Sequence, residues 1–121
     1  MSGNFKVDPE LKQVEQREVC VLHLAGSVDA SAVAEFEAAF GAAFTAGQRH
    51  IVLDFERVEY LSSAGLRLLL KFRKTVLDGS GAIKIAALHR EIRENVFDAL
   101  GFSRLLEVHG TVQEAIESFE E

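Results

Sequence analysis

Two adjacent hydroxyls, Ser62 and Ser63, sit in the stretch Leu61-Ser62-Ser63-Ala64-Gly65-Leu66, between a strand-like apolar run and a helix-like one. A serine pair at the mouth of a helix can do three kinds of chemistry. It can cap, because a serine oxygen accepts a hydrogen bond from a backbone N–H of the first turn that has no partner inside the helix. It can offer an accessible contact to another protein, if the residues that follow are small enough to leave it open. It can act as a nucleophile if a base and an oxyanion hole lie close by. No G-x-S-x-G elbow surrounds these serines, which argues against the third use. A small hydrolase built on Ser63 would react with a serine-directed fluorophosphonate. Ala64-Gly65 lowers helix propensity, by about 1 kcal/mol for the glycine alone. In return, the small side chains leave the hydroxyls open to another protein.

Other polar residues are weaker candidates. Asp54 interrupts the apolar run Ile51-Val52-Leu53-Asp54-Phe55, and a buried carboxylate without a partner costs several kcal/mol. Either it accepts hydrogen bonds from backbone N–H groups of the following loop, or it helps to hold an exposed serine. Asp29 reads as a helix cap first and a surface site second. Arg67 and Lys71 form either a solvated helix face or a lure for an acidic partner loop. His23, His50, His89 and His109 are scattered. The first two lie in or beside strands and read as structural. His89 with Glu91 is a weak ligand pair, so no metal or cofactor site is expected. Neither GxGxxG nor GxxxxGK[ST] occurs.

The elements that must position these groups follow from periodicity. Residues 11–25 look like two β segments with a turn at Glu18, and Gly26 ends the run. Residues 30–46 read as a helix with Val33, Phe36, Phe40 and Phe44 on one stripe, capped by Asp29 or Ser31 and stopped by Gly47. Residues 51–55 form a central strand covered on both faces. A loop over 56–61 leads to a second helix over 63–77, in which the Arg73 stem packs while its head reaches out. A strand over 82–88 follows. A helix over 90–100 then turns Ile92, Val96, Ala99 and Leu100 inward before Gly101. A short strand over 105–108 leads to a last helix opened by the capping box Thr111-Val112-Gln113-Glu114. The order ββαβαβαβα implies a largely parallel α/β sheet with helices packed on it.

The chain has 121 residues, enough for one domain with its own core. Residues 1–9 are expected as a flexible lead-in and 10–121 as a single domain. Thirteen Lys and Arg stand against nineteen Asp and Glu, a formal charge of −6, which disfavours nucleic acid and anionic membranes. A hydrophobic share of 48% excludes disorder of the whole chain. The lone Cys20 forms no intrachain disulfide and fits a reducing compartment. No apolar run reaches membrane-helix length, and the N-terminus lacks a secretory pattern, so a cytoplasmic protein is expected.

The stretch from Val52 through Ser62-Ser63-Ala64-Gly65 to Leu70 resembles the signature of the STAS domain of bacterial anti-sigma factor antagonists. Leu24-Ala25-Gly26-Ser27-Val28-Asp29 is similar to that family's first turn, and the element order also fits, so the resemblance spans nearly the whole chain. It is that of a stand-alone domain and not of an anion-transporter tail. The resemblance implies a mixed sheet of about five strands with about four helices packed mainly on one face. It implies phosphorylation at Ser63, with Ser62 as rival acceptor. Ser62 stands where many members carry Asp, and Ala64 where they carry a second hydroxyl. It implies a partner surface drawn from Asp29, Asp54, Ser62, Ala64, Gly65, Leu66, Arg67 and Lys71. The implied partner is an anti-sigma serine kinase with a histidine-kinase-like ATPase fold, and a PP2C-type phosphatase would reverse the mark. The chain itself is then a switch in sigma-factor control and not an enzyme. The alternative is a STAS subunit of a phospholipid transporter or sensory assembly, unphosphorylated, in which both serines are only caps.

Overall fold

The computed structural model describes residues 4–120. A five-stranded mixed sheet runs in the order β1-β2-β3-β4-β5. β1 (Lys6–Val14) pairs antiparallel with β2 (Arg17–Val28), and β2, β3 (His50–Leu61), β4 (Ala82–Ala86) and β5 (Glu107–His109) are parallel. Crossover helices join the parallel strands: α1 (Val33–Thr45), α2 (Ser63–Asp78) and α3, which starts at Arg90–Ile92 and widens into a π-helical turn over Arg93–Asp98. α4 (Val112–Glu117) closes the chain.

Burial on both sheet faces explains the apolar strands. On one face Leu22, Leu24, Leu53 and Phe55 pack with Phe36 and Phe40 of α1, Leu69 and Phe72 of α2, and Phe97 in the π-helical turn of α3. Phe72 stacks on Phe40 at 4.0 Å between centroids and meets Phe36 edge-on at 5.0 Å. Each such side chain contributes about 1.5–3 kcal/mol on burial. On the other face, among the described residues, α4 and the 3-10 turn after it (Ser118–Glu120) set Ala115, Ile116 and Phe119 against Val19, Val21, Val52 and Ala86. Helices thus lie mainly on one face. The capping box forms as expected: Thr111 Oγ1 accepts from Glu114 N, and Glu114 accepts from Thr111 N.

Several boundaries differ from the sequence expectation. Residues 1–3 lie outside the described residues, but Lys6 to Pro9 of the expected lead-in belong to β1, paired with Ala25 to Leu22. Pro9 is tolerated because β1 is an edge strand. The hairpin turns at Glu15-Gln16, with Glu15 at φ 56°, and not at Glu18, which pairs with Gln13. Gly26 does not end β2. It sits at a register shift with φ 92°, and a Cβ there would come within 2.4 Å of the Asn4 carbonyl oxygen. The expected loop over 56–61 is strand: Val58 and Leu61 are buried while Glu56, Arg57, Glu59 and Tyr60 face out. β4 stops at Ala86, and Ala87 takes a positive φ of 60°. The last strand falls at Glu107–His109 in place of 105–108. In the third helical segment Ile92 and Val96 pack inward as expected, but Phe97 takes the place of Ala99 and Leu100, which are exposed. The wider π turn carries more residues per turn, so the 3.6-residue stripe drifts off the core. Arg73 is half-buried and its Nε donates to the Leu105 carbonyl at 2.7 Å, so its head ends on backbone.

Candidate functional site

α2 begins where β3 ends, beside the carboxyl end of β2. Ser62 takes an extended conformation (φ −89°, ψ 172°) and caps the helix. Its Oγ accepts from Gly65 N at 3.2 Å and donates to the Val28 carbonyl at 3.3 Å, and its own N–H donates to the same carbonyl at 3.0 Å. Ser62 is therefore committed to fixing the helix start on β2. Ser63, the first helical residue, is exposed and has no hydrogen-bond partner for its hydroxyl among the described residues. Gly65 is needed for this arrangement, because a Cβ would sit 2.6 Å from the Val28 oxygen. Gly65 and Leu66 are buried, Leu66 at 5% exposure. These two expected partner positions are thus corrected. They seat the helix and present no surface, because the 3.6-residue period turns them toward the core.

Ser63 borders an open hollow of about 660 Å³, shared with Ser27, Asp29, Ser31, Tyr60 and the half-buried Ala64. Asp29 Oδ1 accepts from Ser31 Oγ and from Ser31 N at 3.0 Å. The Ser31 hydroxyl first, and then backbone N–H groups, hold the Asp29 carboxyl below its ordinary range despite some desolvation. Asp29 is thus both a cap and a fixed negative charge on the rim. Tyr60, 55% exposed, is the large apolar group of this rim, and sequence reasoning missed it. Simple alternation from Val58 would turn position 60 inward, and it is the register shift between β2 and β3 at this point that turns Tyr60 out. Arg67 is exposed one turn beyond Ser63. Lys71, also exposed, is ion-paired with Glu37 of α1.

Asp54 lies elsewhere. It is 7% exposed and points to the face of the sheet that carries α4. Its Oδ1 accepts from Glu56 N at 3.0 Å, the backbone partner expected for it, and its Oδ2 is 2.6 Å from His23 Nδ1. It contacts neither serine, so the expectation that it holds one is corrected. Alternation along β3 sends it to the opposite face from Leu53 and Phe55. His89 is also not poised as a ligand with Glu91: its Nε2 is 2.8 Å from the Glu56 carbonyl oxygen.

The model of the STAS domain family matches residues 10–115. The chain belongs to the STAS domain family. Beyond the family, this STAS domain is similar to a Bordetella bronchiseptica protein described as an anti-sigma factor antagonist, BtrV, with 33% identity over 96 residues, 79% of this chain and 82% of that one. Its fold is similar to that of an anti-sigma factor antagonist from Mycobacterium paratuberculosis (TM-score 0.79, 19% identity, 96% of each chain covered). It is also similar to SpoIIAA, a Bacillus cell-fate determinant solved in its phosphorylated form (TM-score 0.67, 26% identity, 93% of this chain and all of that one, 100%, covered). Among its described residues no helix is long and apolar enough to cross a membrane.

Proposed function

We propose that this STAS domain is an anti-sigma factor antagonist that binds an anti-sigma serine kinase through the Ser63 rim and is released by phosphorylation of Ser63. The observation that carries the reading is the division of labour between the two serines. Ser62 is held as the cap, while Ser63 is exposed and unengaged one residue later. The relatives described as anti-sigma factor antagonists, and the likeness to a phosphorylated SpoIIAA, support it.

The switch is local electrostatics. A phosphoserine carries about −1.5 to −2 charges at neutral pH. At the first position of α2, a sixteen-residue helix, the positive end of the dipole favours that charge. Arg67, four residues on, shares the same side of the helix and can pair with it. The fold therefore tolerates the mark. Across a partly wet interface, one like charge at ~5 Å costs about 3 kcal/mol at an effective dielectric of about 20. That is roughly a hundredfold in affinity, and the bulk of the phosphoryl group adds to it. A PP2C-type phosphatase would restore the binding form and so free the sigma factor again.

The test is to incubate the full chain with the kinase that co-purifies with it and ATP, and to map the product by mass spectrometry. The expected result is one phosphate, on Ser63, with loss of the complex. Stoichiometric phosphate on Ser62 or elsewhere, or a complex that survives phosphorylation, contradicts the reading.

A further inference from the structure

α4 covers only part of its sheet face. Beside it, β1, β2 and β3 line an open cavity of about 580 Å³. In it His23 lies between two carboxylates, with Nδ1 2.6 Å from Asp54 Oδ2 and Nε2 2.8 Å from Glu10 Oε1. A neutral imidazole has one N–H and one lone pair, so it can donate to only one of them. Its bare nitrogen would face the lone pairs of the other. Two contacts this short to ionised carboxylates require a proton on each ring nitrogen.

The bonded groups sit on three strands: Glu10 on the edge strand β1, His23 on β2 and Asp54 on β3. Their exposures differ. The Asp54 side chain is 10% exposed and that of Glu10 is 47% exposed. When the ring loses a proton, the remaining N–H stays with the buried carboxylate, because leaving the buried Oδ2 of Asp54 without a donor costs more than leaving the half-exposed Glu10 without one. The bond to Glu10 is the one that breaks. We propose that His23 is a pH-operated latch, which as an imidazolium ties edge strand β1 to central strand β3 and on deprotonation loosens β1 while its ladder to β2 stays paired.

Lys6 and Asp8 of β1 and Glu56 and Arg57 of β3 also line the cavity, and Lys12 approaches Glu10 at 3.8 Å. Burial works against the charge on His23, but the hydrogen bonds to Glu10 and Asp54 outweigh it and raise its pKa. The His23 hydrogen bond, first among its causes, lowers the pKa of Glu10. The folded value of His23 thus exceeds the unfolded one. The latch is complete below the ordinary histidine range and is lost as pH rises through the folded value. The effect can travel. Asn4 Oδ1, just before β1, accepts from Ser27 N at 3.3 Å, and Ser27 lines the Ser63 hollow. This last consequence rests on the reading of the rim given above, whereas the latch does not.

NMR on the full chain tests the latch without any partner. The ring signals of His23 are followed between about pH 5 and about pH 9, a range that spans ordinary and raised histidine values. Amide-exchange protection of β1, relative to β3, is measured in parallel. The expected result is that His23 titrates above the ordinary range and that β1 loses about tenfold in relative protection through the same pH. E10Q, which keeps an acceptor but removes the charge, should move both midpoints down by about one unit. H23Q should give β1 protection that no longer depends on pH over this range. Should H23Q fail to fold, E10Q still decides. A His23 that titrates at or below the ordinary range, β1 protection that tracks β3 at every pH, or midpoints unmoved by E10Q would overturn the latch.

Discussion

The Ser63 rim and the His23 cleft are both polar, and both draw on β2 and β3, yet they are built on opposite plans. At the rim the Ser63 hydroxyl is exposed and without a partner among the described residues, Tyr60 stands open, and Asp29 and Ser62 spend their hydrogen bonds on the scaffold behind them. In the cleft Glu10, His23 and Asp54 satisfy one another. A satisfied buried polar group costs about 1–3 kcal/mol to strand, so it holds strands in place. An unengaged exposed hydroxyl loses little when a partner covers it or when chemistry changes it. Residue type alone does not separate a surface meant to exchange partners from one meant to keep them. Whether the polar atoms are already paired does.

The largest effect that sharpens this contrast is expected from S63D. The variant should bind the kinase about a hundredfold more weakly by calorimetry. Its thermal midpoint should stay within about 3 °C of the parent, because a carboxylate at a helix start is welcome. A large loss of stability would mean that Ser63 belongs to the scaffold, and the contrast between the two serines would fail.

Next in size is the cap itself. S62A removes the acceptor for Gly65 N and the donor to the Val28 carbonyl. Urea unfolding should show a loss of about 1 kcal/mol. S63A should stay within about 0.5 kcal/mol, as surface changes do. Equal losses in the two variants would erase the distinction on which the proposed switch stands.

What was legible in the sequence was local. The phenylalanine stripe of α1, the hydroxyl pair at the mouth of α2 and the Thr111 capping box are short-range patterns, and the strand–helix alternation fixed the sheet type. What escaped depended on distant neighbours or on absent signals. The hairpin turns at Glu15-Gln16, which contain neither Gly, Asn nor Pro to mark it. Gly26 reads as a breaker until Asn4, twenty-two positions earlier, is seen to press on it. Residues 56–61 look like a loop because the strand is wet on one side there. The partner of Asp54 is thirty-one residues away, and nothing local in Val52-Leu53-Asp54-Phe55 points to it. Of the expected site, the serine pair at a helix start was readable from type and spacing, whereas the choice of Ser63 over Ser62 came from the family resemblance. The inward turn of Gly65 and Leu66, and the outward turn of Tyr60, needed the packing.

The smallest expected effect concerns charge on the rim. Arg67 and Lys71 lie one turn apart on α2 and are equivalent in sequence terms, but Lys71 is ion-paired with Glu37 and Arg67 has no ion pair among the described residues. A paired charge exerts a weaker field on an approaching partner than an unpaired one. If the kinase presents an acidic loop to this side of Ser63, R67A should slow association a few-fold, more at low salt than at high, with little change in dissociation. K71A should leave the association rate nearly unchanged. Neither variant should change unfolding stability by more than about 0.5 kcal/mol, since exposed ion pairs contribute little. Stopped-flow binding at two salt concentrations distinguishes the cases. Equal slowing by the two variants would mean that the partner senses the summed charge of the helix face and not the one cation left unpaired, and the rule that pairing separates exchange surfaces from scaffold would not extend to charges.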